Sequence, residues 1–192
     1  FLISGSIGPR GDGYAIVDTM SADEAEEYHR FQTGVLADAG VDYVSALTLT
    51  YPDEAVGVVR AAKAHGKRAV ISFTTETDGR IPNGQTLESA IAEVDAATDN
   101  EPAFYMINCA HPDHFSAALD GEWVSRIGGM RANASRCSHE ELDACEVLDD
   151  GDPREFGQLY SQITSQYPSI RVLGGCCGTD YRHVEQIAAA CC

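Results

Sequence analysis

The chain has 192 residues, 44% of them hydrophobic, and carries 13 basic against 30 acidic residues for a net charge of −17. That is enough apolar material for a real core. The acidic balance excludes the basic face that nucleic-acid binding requires, and no run approaches the roughly 18 uninterrupted apolar residues of a membrane helix. Seven cysteines, an odd number at irregular spacing, do not describe a small secreted disulfide scaffold. No positively charged start leads into an apolar run, so a reducing cytoplasm is the expected compartment. The first residue is Phe1 and the first segment already reads as a buried strand, which raises the expectation of an N-terminal truncation.

In chain order, residues 2–7 read as a strand ending in a Gly-Pro turn. A helix follows over 21–39, opened by Ser21 with Asp23, Glu24, Glu26 and Glu27 in its first turns and closed at Gly40. Residues 42–48 predict a strand and 53–65 a helix; then come strand 68–73 and helix 86–98 with Thr86 as its cap. Strand 103–109 precedes a short helix near 112–119. Strand 124–132 runs into an acidic, irregular stretch. Helix 153–166, with Pro153 in its first turn, strand 170–174 and helix 180–190 complete the chain.

Strict alternation of strand and helix implies parallel strands with right-handed crossovers. The near-continuous apolar strands suit a sheet covered on both faces. No composition break divides residues 1–192, so a single domain is expected. A doubly wound sheet and a (β/α)₈ barrel both fit the pattern. The barrel needs eight units and about 250 residues, of which six units are visible here. Two absent units would leave two sheet edges open, and such a chain is expected to aggregate or fold poorly alone.

Reactive groups in either architecture gather where strands end. Cys109 closes one strand in Ile107-Asn108-Cys109-Ala110-His111-Pro112, and Cys176-Cys177 follow another in Leu173-Gly174-Gly175-Cys176-Cys177-Gly178-Thr179. Three thiolates form a soft site suited to zinc, and three protein ligands leave a fourth, open position of the catalytic kind. Adjacent cysteines reach one ion only through a non-extended turn, and Gly174, Gly175 and Gly178 are the residues expected to permit it. By spacing alone, buried thiols, a vicinal disulfide and a phosphate loop at Gly174-Gly175 remain alternatives.

Gly174-Gly175-Cys176-Cys177-Gly178-Thr179 resembles the signature of the homocysteine S-methyltransferase family. Asn108-Cys109 resembles that family's Asn-Cys motif at the sixth barrel strand. Ser4-Gly5-Ser6-Ile7-Gly8-Pro9 is similar to its third-strand motif, and Ala39-Gly40-Val41-Asp42 to the approach to its fourth strand. The resemblance implies an incomplete (β/α)₈ TIM barrel comprising strands three to eight, with Cys109, Cys176 and Cys177 as Zn²⁺ ligands. It also implies a cytoplasmic enzyme of methionine biosynthesis. Its small-molecule partners would be a sulfonium or quaternary ammonium methyl donor and a thiol acceptor. Asn108, Asn133 and Gly175 stand where substrate contacts are expected. The family's Asp-Gly-Gly strand is not in this sequence, and its Glu-Thr pair reads Leu47-Thr48, so the acceptor is homocysteine or a related thiol. Asp53 and Glu54, the next carboxylates, are the candidates to stand in for that Glu, and they also read as the acidic first turn of a helix. His111 and His114 read as residues flanking a short helix; Tyr14, Tyr51 and Trp123 are candidate aromatic faces for a methyl cation.

Overall fold

The computed structural model describes all residues, 1–192. Two compact units make up the chain: Phe1–Thr74 with Ile81–Tyr105, and Thr75–Arg80 with Met106–Cys192. The first holds β1 (Ser4–Ile7), α1 (Ala22–Asp38), β2 (Tyr43–Leu49), α2 (Pro52–Ala64), β3 (Arg68–Phe73) and α3 (Leu87–Thr98). β1 pairs with β2 and β2 with β3, both in parallel, starting from Ser4 opposite Tyr43 and Tyr43 opposite Arg68. Parallel neighbours need a crossover, and each helix supplies one.

β3 is buried from Ala69 to Phe73, as expected for a strand covered on both faces. Ser21 and Glu24 form a reciprocal capping box at the start of α1, and the Thr86 hydroxyl accepts the Ser89 N–H at the start of α3. α1 buries Ala25, His29 and Thr33, one residue per turn along a single stripe.

The sheet continues beyond β3. Ala103 N–H donates to Ala69 C=O at 2.8 Å, Ile71 N–H to Phe104 C=O at 3.4 Å, and the Tyr105 ring stacks near-parallel on Phe73. β4 (Tyr105–Asn108) begins there.

The second unit continues with α4 (Pro112–Phe115), β5 (Ile127–Ala132), α5 (His139–Ala144), α6 (Pro153–Gln166), β6 (Val172–Gly175) and α7 (Tyr181–Cys191). β5 and β6 are parallel, with Ala132 opposite Gly175. The buried Tyr160 of α6 reinforces that pair: its hydroxyl accepts the Ala132 N–H at 2.8 Å and donates to Gly174 C=O at 2.6 Å. Burial holds its phenol pKa well above the usual tyrosine value. Strands neighbour one another in chain order within each unit, β1-β2-β3 in the first and β5-β6 in the second. A doubly wound sheet reverses its order at a switch point; a barrel does not.

Helix limits fall within a residue of those expected for α1, α2, α3, α6 and α7. Other segments differ: strand 103–109 is extended only over Tyr105–Asn108, and strand 170–174 starts at Val172 and runs to Gly175. The first strand begins at Ser4 because the Asp42 carboxylate, not a ladder carbonyl, takes the Ile3 N–H at 2.6 Å. The expected strand 124–132 is divided: Glu122–Arg126 coils into a 3₁₀ turn, held by the Ser125 hydroxyl on Glu122 C=O, and only Ile127–Ala132 is extended. The acidic stretch holds α5, announced by a capping box of Ser138 and Glu141.

Candidate metal centre

β4 ends at Asn108, and the next residue, Cys109, turns its backbone to φ +54°. A left-handed backbone at a non-glycine residue costs of order 1 kcal/mol and persists only where its surroundings hold it. Two hydrogen bonds do so. Cys109 N–H donates to Arg131 C=O at 3.1 Å, and Cys109 C=O accepts the Asn133 Nδ2–H at 3.0 Å. The side chain is 5% exposed.

Cys176 and Cys177 lie just past β6 in a tight turn. Thr179 N–H donates to Cys176 C=O at 3.2 Å, and the Thr179 hydroxyl donates to the same carbonyl at 2.7 Å. Gly178 takes φ +76°, the position of such a turn that requires glycine. Of the three glycines expected to supply backbone freedom, Gly178 alone uses it. Gly174 and Gly175 are strand residues paired with Arg131 and Ala132. Gly175 is needed for space: a Cβ there would stand 2.1 Å from the Thr179 hydroxyl oxygen. The turn ends the alternation that would send adjacent cysteines to opposite faces.

The three sulfurs are brought together, all within 4.8 Å of one another. Cys109 and Cys176 are in disulfide contact with Cα atoms 5.5 Å apart, so the bonded pair spans two strand ends and is not the vicinal pair. Cys109 Sγ and Cys177 Sγ are 3.9 Å apart. Zn–S bonds of about 2.3 Å in a tetrahedron place sulfurs about 3.8 Å apart. Once Cys109 and Cys176 are reduced, the donor set and its spacing therefore fit zinc. Cys109 is buried, Cys176 half-buried and Cys177 exposed, so the cluster is open on one side.

Asn133 is 2% exposed, and both polar atoms of its carboxamide are engaged with backbone. Nδ2 donates to Cys109 C=O, and Oδ1 accepts the Cys177 N–H at 3.1 Å. Asn108 is buried directly before Cys109.

Neither His111 nor His114 belongs to the sulfur cluster. His111 Nδ1 accepts the Asp113 N–H and caps α4, while burial lowers its pKa to about 4 and keeps the ring neutral, as an acceptor must be. His114 Nε2 bonds Arg136 C=O at 2.9 Å. Cys137 and Cys191 are half-buried, Cys145 and Cys192 exposed. Trp123 donates its indole N–H to Asp120 C=O, and the Tyr51 hydroxyl accepts the Met20 N–H. In the first unit Glu54, 1% exposed, accepts the Arg10 N–H at 2.7 Å and lies 3.0 Å from His29 Nε2.

A family model described as homocysteine S-methyltransferase matches residues 1–191. The chain belongs to the homocysteine S-methyltransferase family. Within that family, the homocysteine S-methyltransferase YbgG of Bacillus subtilis (strain 168) is 27% identical over 201 residues, covering 98% of this chain and 61% of YbgG. Two crystal structures of the homocysteine methyltransferase MmuM from Escherichia coli share its fold. The metallated form superposes with a TM-score of 0.74 at 21% identity, covering 98% of this chain and 60% of MmuM. The apo form gives 0.72 at 21% identity, covering 98% and 63%. The chain thus spans about three-fifths of the length of these family members, and its fold is an incomplete (β/α)₈ barrel.

Proposed function

We propose that this homocysteine S-methyltransferase family member is a zinc-dependent methyltransferase whose metal is held by Cys109, Cys176 and Cys177. The observation that carries this reading is the convergence of three sulfurs from two strand ends within 4.8 Å. The family match supports it, as does the existence of a metallated form of MmuM. The unbroken match over residues 1–191 supports reading the chain as one barrel domain.

The proposed reaction moves a methyl group from a sulfonium or quaternary ammonium donor onto the sulfur of homocysteine or a related thiol, giving methionine or its analogue. A C–S bond forms on the acceptor, the donor's methyl–S or methyl–N bond breaks, and its electron pair stays with the departing donor. A bound zinc ion supplies the Lewis acidity that keeps a thiol ionised near neutral pH. The remaining work is orientation and exclusion of water by the chain. Cys109 presents its sulfur from a buried strand end, Cys177 from the open side, and the Thr179 hydroxyl fixes the turn between Cys176 and Gly178. Of the three residues expected at the substrate, Asn108 is the proposed acceptor contact. Asn133 is engaged by backbone, and Gly175 leaves room for the Thr179 side chain. The reduced protein is the competent form, which suits the cytoplasm.

Methyl transfer by the full-length, zinc-loaded protein tests this directly, with one sulfonium and one quaternary ammonium donor offered against a panel of thiols. The expected result is a methylated thiol from wild type and none from Cys177→Ser. No methylated thiol from the wild type with either donor class contradicts the reading.

A further inference from the structure

We propose that Asn133 is a positioning residue for the thiolate cluster: its carboxamide ties the Cys109 backbone to the Cys177 backbone and so sets the spacing of the sulfurs. This rests on the metal-site reading above and assigns Asn133 a role other than touching substrate.

All three strands have ended where the sulfurs emerge: β4 at Asn108, β5 at Ala132 and β6 at Gly175. Beyond those points only single backbone bonds carry on the pairing, Cys109 N–H to Arg131 C=O at 3.1 Å and Cys176 N–H to Ala132 C=O at 2.8 Å. Residues 133 and 134 add the bonds that reach Cys177 and the Cys109 carbonyl. Asn133 N–H donates to Ala110 C=O at 3.0 Å, and Asn133 Nδ2–H to Cys109 C=O at 3.0 Å. Ala134 N–H donates to Cys177 C=O at 3.0 Å, and Asn133 Oδ1 accepts the Cys177 N–H at 3.1 Å. Cys177 is thereby gripped through both its amide and its carbonyl, and the left-handed Cys109 through its carbonyl.

The chemistry required at position 133 is narrow. One neighbour is a carbonyl and needs a donor; the other is an N–H and needs an acceptor. A carboxamide offers both on one short fork, and these two partners fix which way the amide faces. Aspartate keeps the acceptor but sets an oxygen against the Cys109 carbonyl; alanine keeps neither. The bonded partners lie 24 and 44 residues from Asn133 in the sequence. The 3.9 Å spacing of the Cys109 and Cys177 sulfurs thus lies across a bridge between loops distant in sequence. Groups that orient metal ligands without touching the ion typically carry about 10–100-fold of metal affinity.

Cobalt(II) alone, titrated into reduced full-length protein, is the probe, because thiolate-to-cobalt charge-transfer absorption reports how many sulfurs bind. Wild type is expected to give a three-thiolate spectrum, Cys177→Ser a two-thiolate one. Asn133→Ala is expected to weaken cobalt binding about 10–100-fold and to lower the charge-transfer intensity toward that of Cys177→Ser. Asn133→Asp is expected to fall between. A folded Asn133→Ala protein with wild-type affinity and spectrum overturns the proposal, even if it melts earlier, because a purely structural role moves the melt and leaves the spectrum alone. Where Asn133→Ala does not fold, wild-type cobalt binding by Asn133→Asp overturns it equally. A wild type that binds no cobalt overturns the metal-site reading and this inference with it, an outcome distinct from the loss confined to position 133.

Discussion

Two buried polar clusters, one in each compact unit, have opposite designs. In the first unit, Glu54 and His29 are both 1% exposed, and Glu54 Oε1 meets both His29 Nε2 and the Arg10 N–H. In the second, the buried carboxamide of Asn133 is engaged by backbone, and three sulfurs lie within 4.8 Å of one another, those of Cys109 and Cys176 in disulfide contact. The difference follows from desolvation. A carboxylate removed from water must find its hydrogen bonds inside the protein. A cysteine buries like a small hydrophobe, so several can converge at little cost and keep their affinity for a soft metal. The first cluster is a buried acid–imidazole pair beside a cavity, with His29 Nδ1 left without a hydrogen bond, and the second a set of soft donors.

Substitutions can break that contrast. Cys109→Ser should have the largest effect on the second cluster. Removal of a ligand is expected to weaken zinc binding by more than the roughly 100-fold upper range for losing an outer partner, read by competition with a chromophoric chelator. Glu54→Ala should act on stability instead. Leaving the buried His29 Nε2 and the Arg10 N–H without their partner costs about 1–3 kcal/mol, visible in denaturant unfolding, with zinc content unchanged. Equal zinc loss in both variants would erase the distinction. Tyr160→Phe should cost about 1–3 kcal/mol in the same unfolding experiment, because the Ala132 N–H and Gly174 C=O lose their shared hydroxyl. Ser21→Ala should cost about 1 kcal/mol through loss of the α1 capping box, again with zinc unaffected.

Much of this was legible in the sequence where one residue type has one job. Ser21, Thr86 and Pro153 marked helix starts, and Cys109 and Cys176-Cys177 marked strand ends. The glycine turn was legible only in outline: Gly178 bends the chain, while Gly175 makes room for Thr179, a contact that spacing does not reveal. α5 was missed although Ser138 and Glu141 stand at capping-box spacing, because the acidic run around them masked it. The roles of Asn133 and Tyr160 were not legible at all. Each joins backbone groups distant in sequence, and nothing in local composition records which carbonyl or amide will arrive beside a side chain.

The central claim is that the three sulfurs hold zinc, and metal content measures it most directly. Elemental analysis of reduced, full-length protein should find stoichiometric zinc in wild type and in Glu54→Ala, and little in Cys109→Ser. Absence of zinc from the reduced wild type, or undiminished zinc in Cys109→Ser, would contradict it.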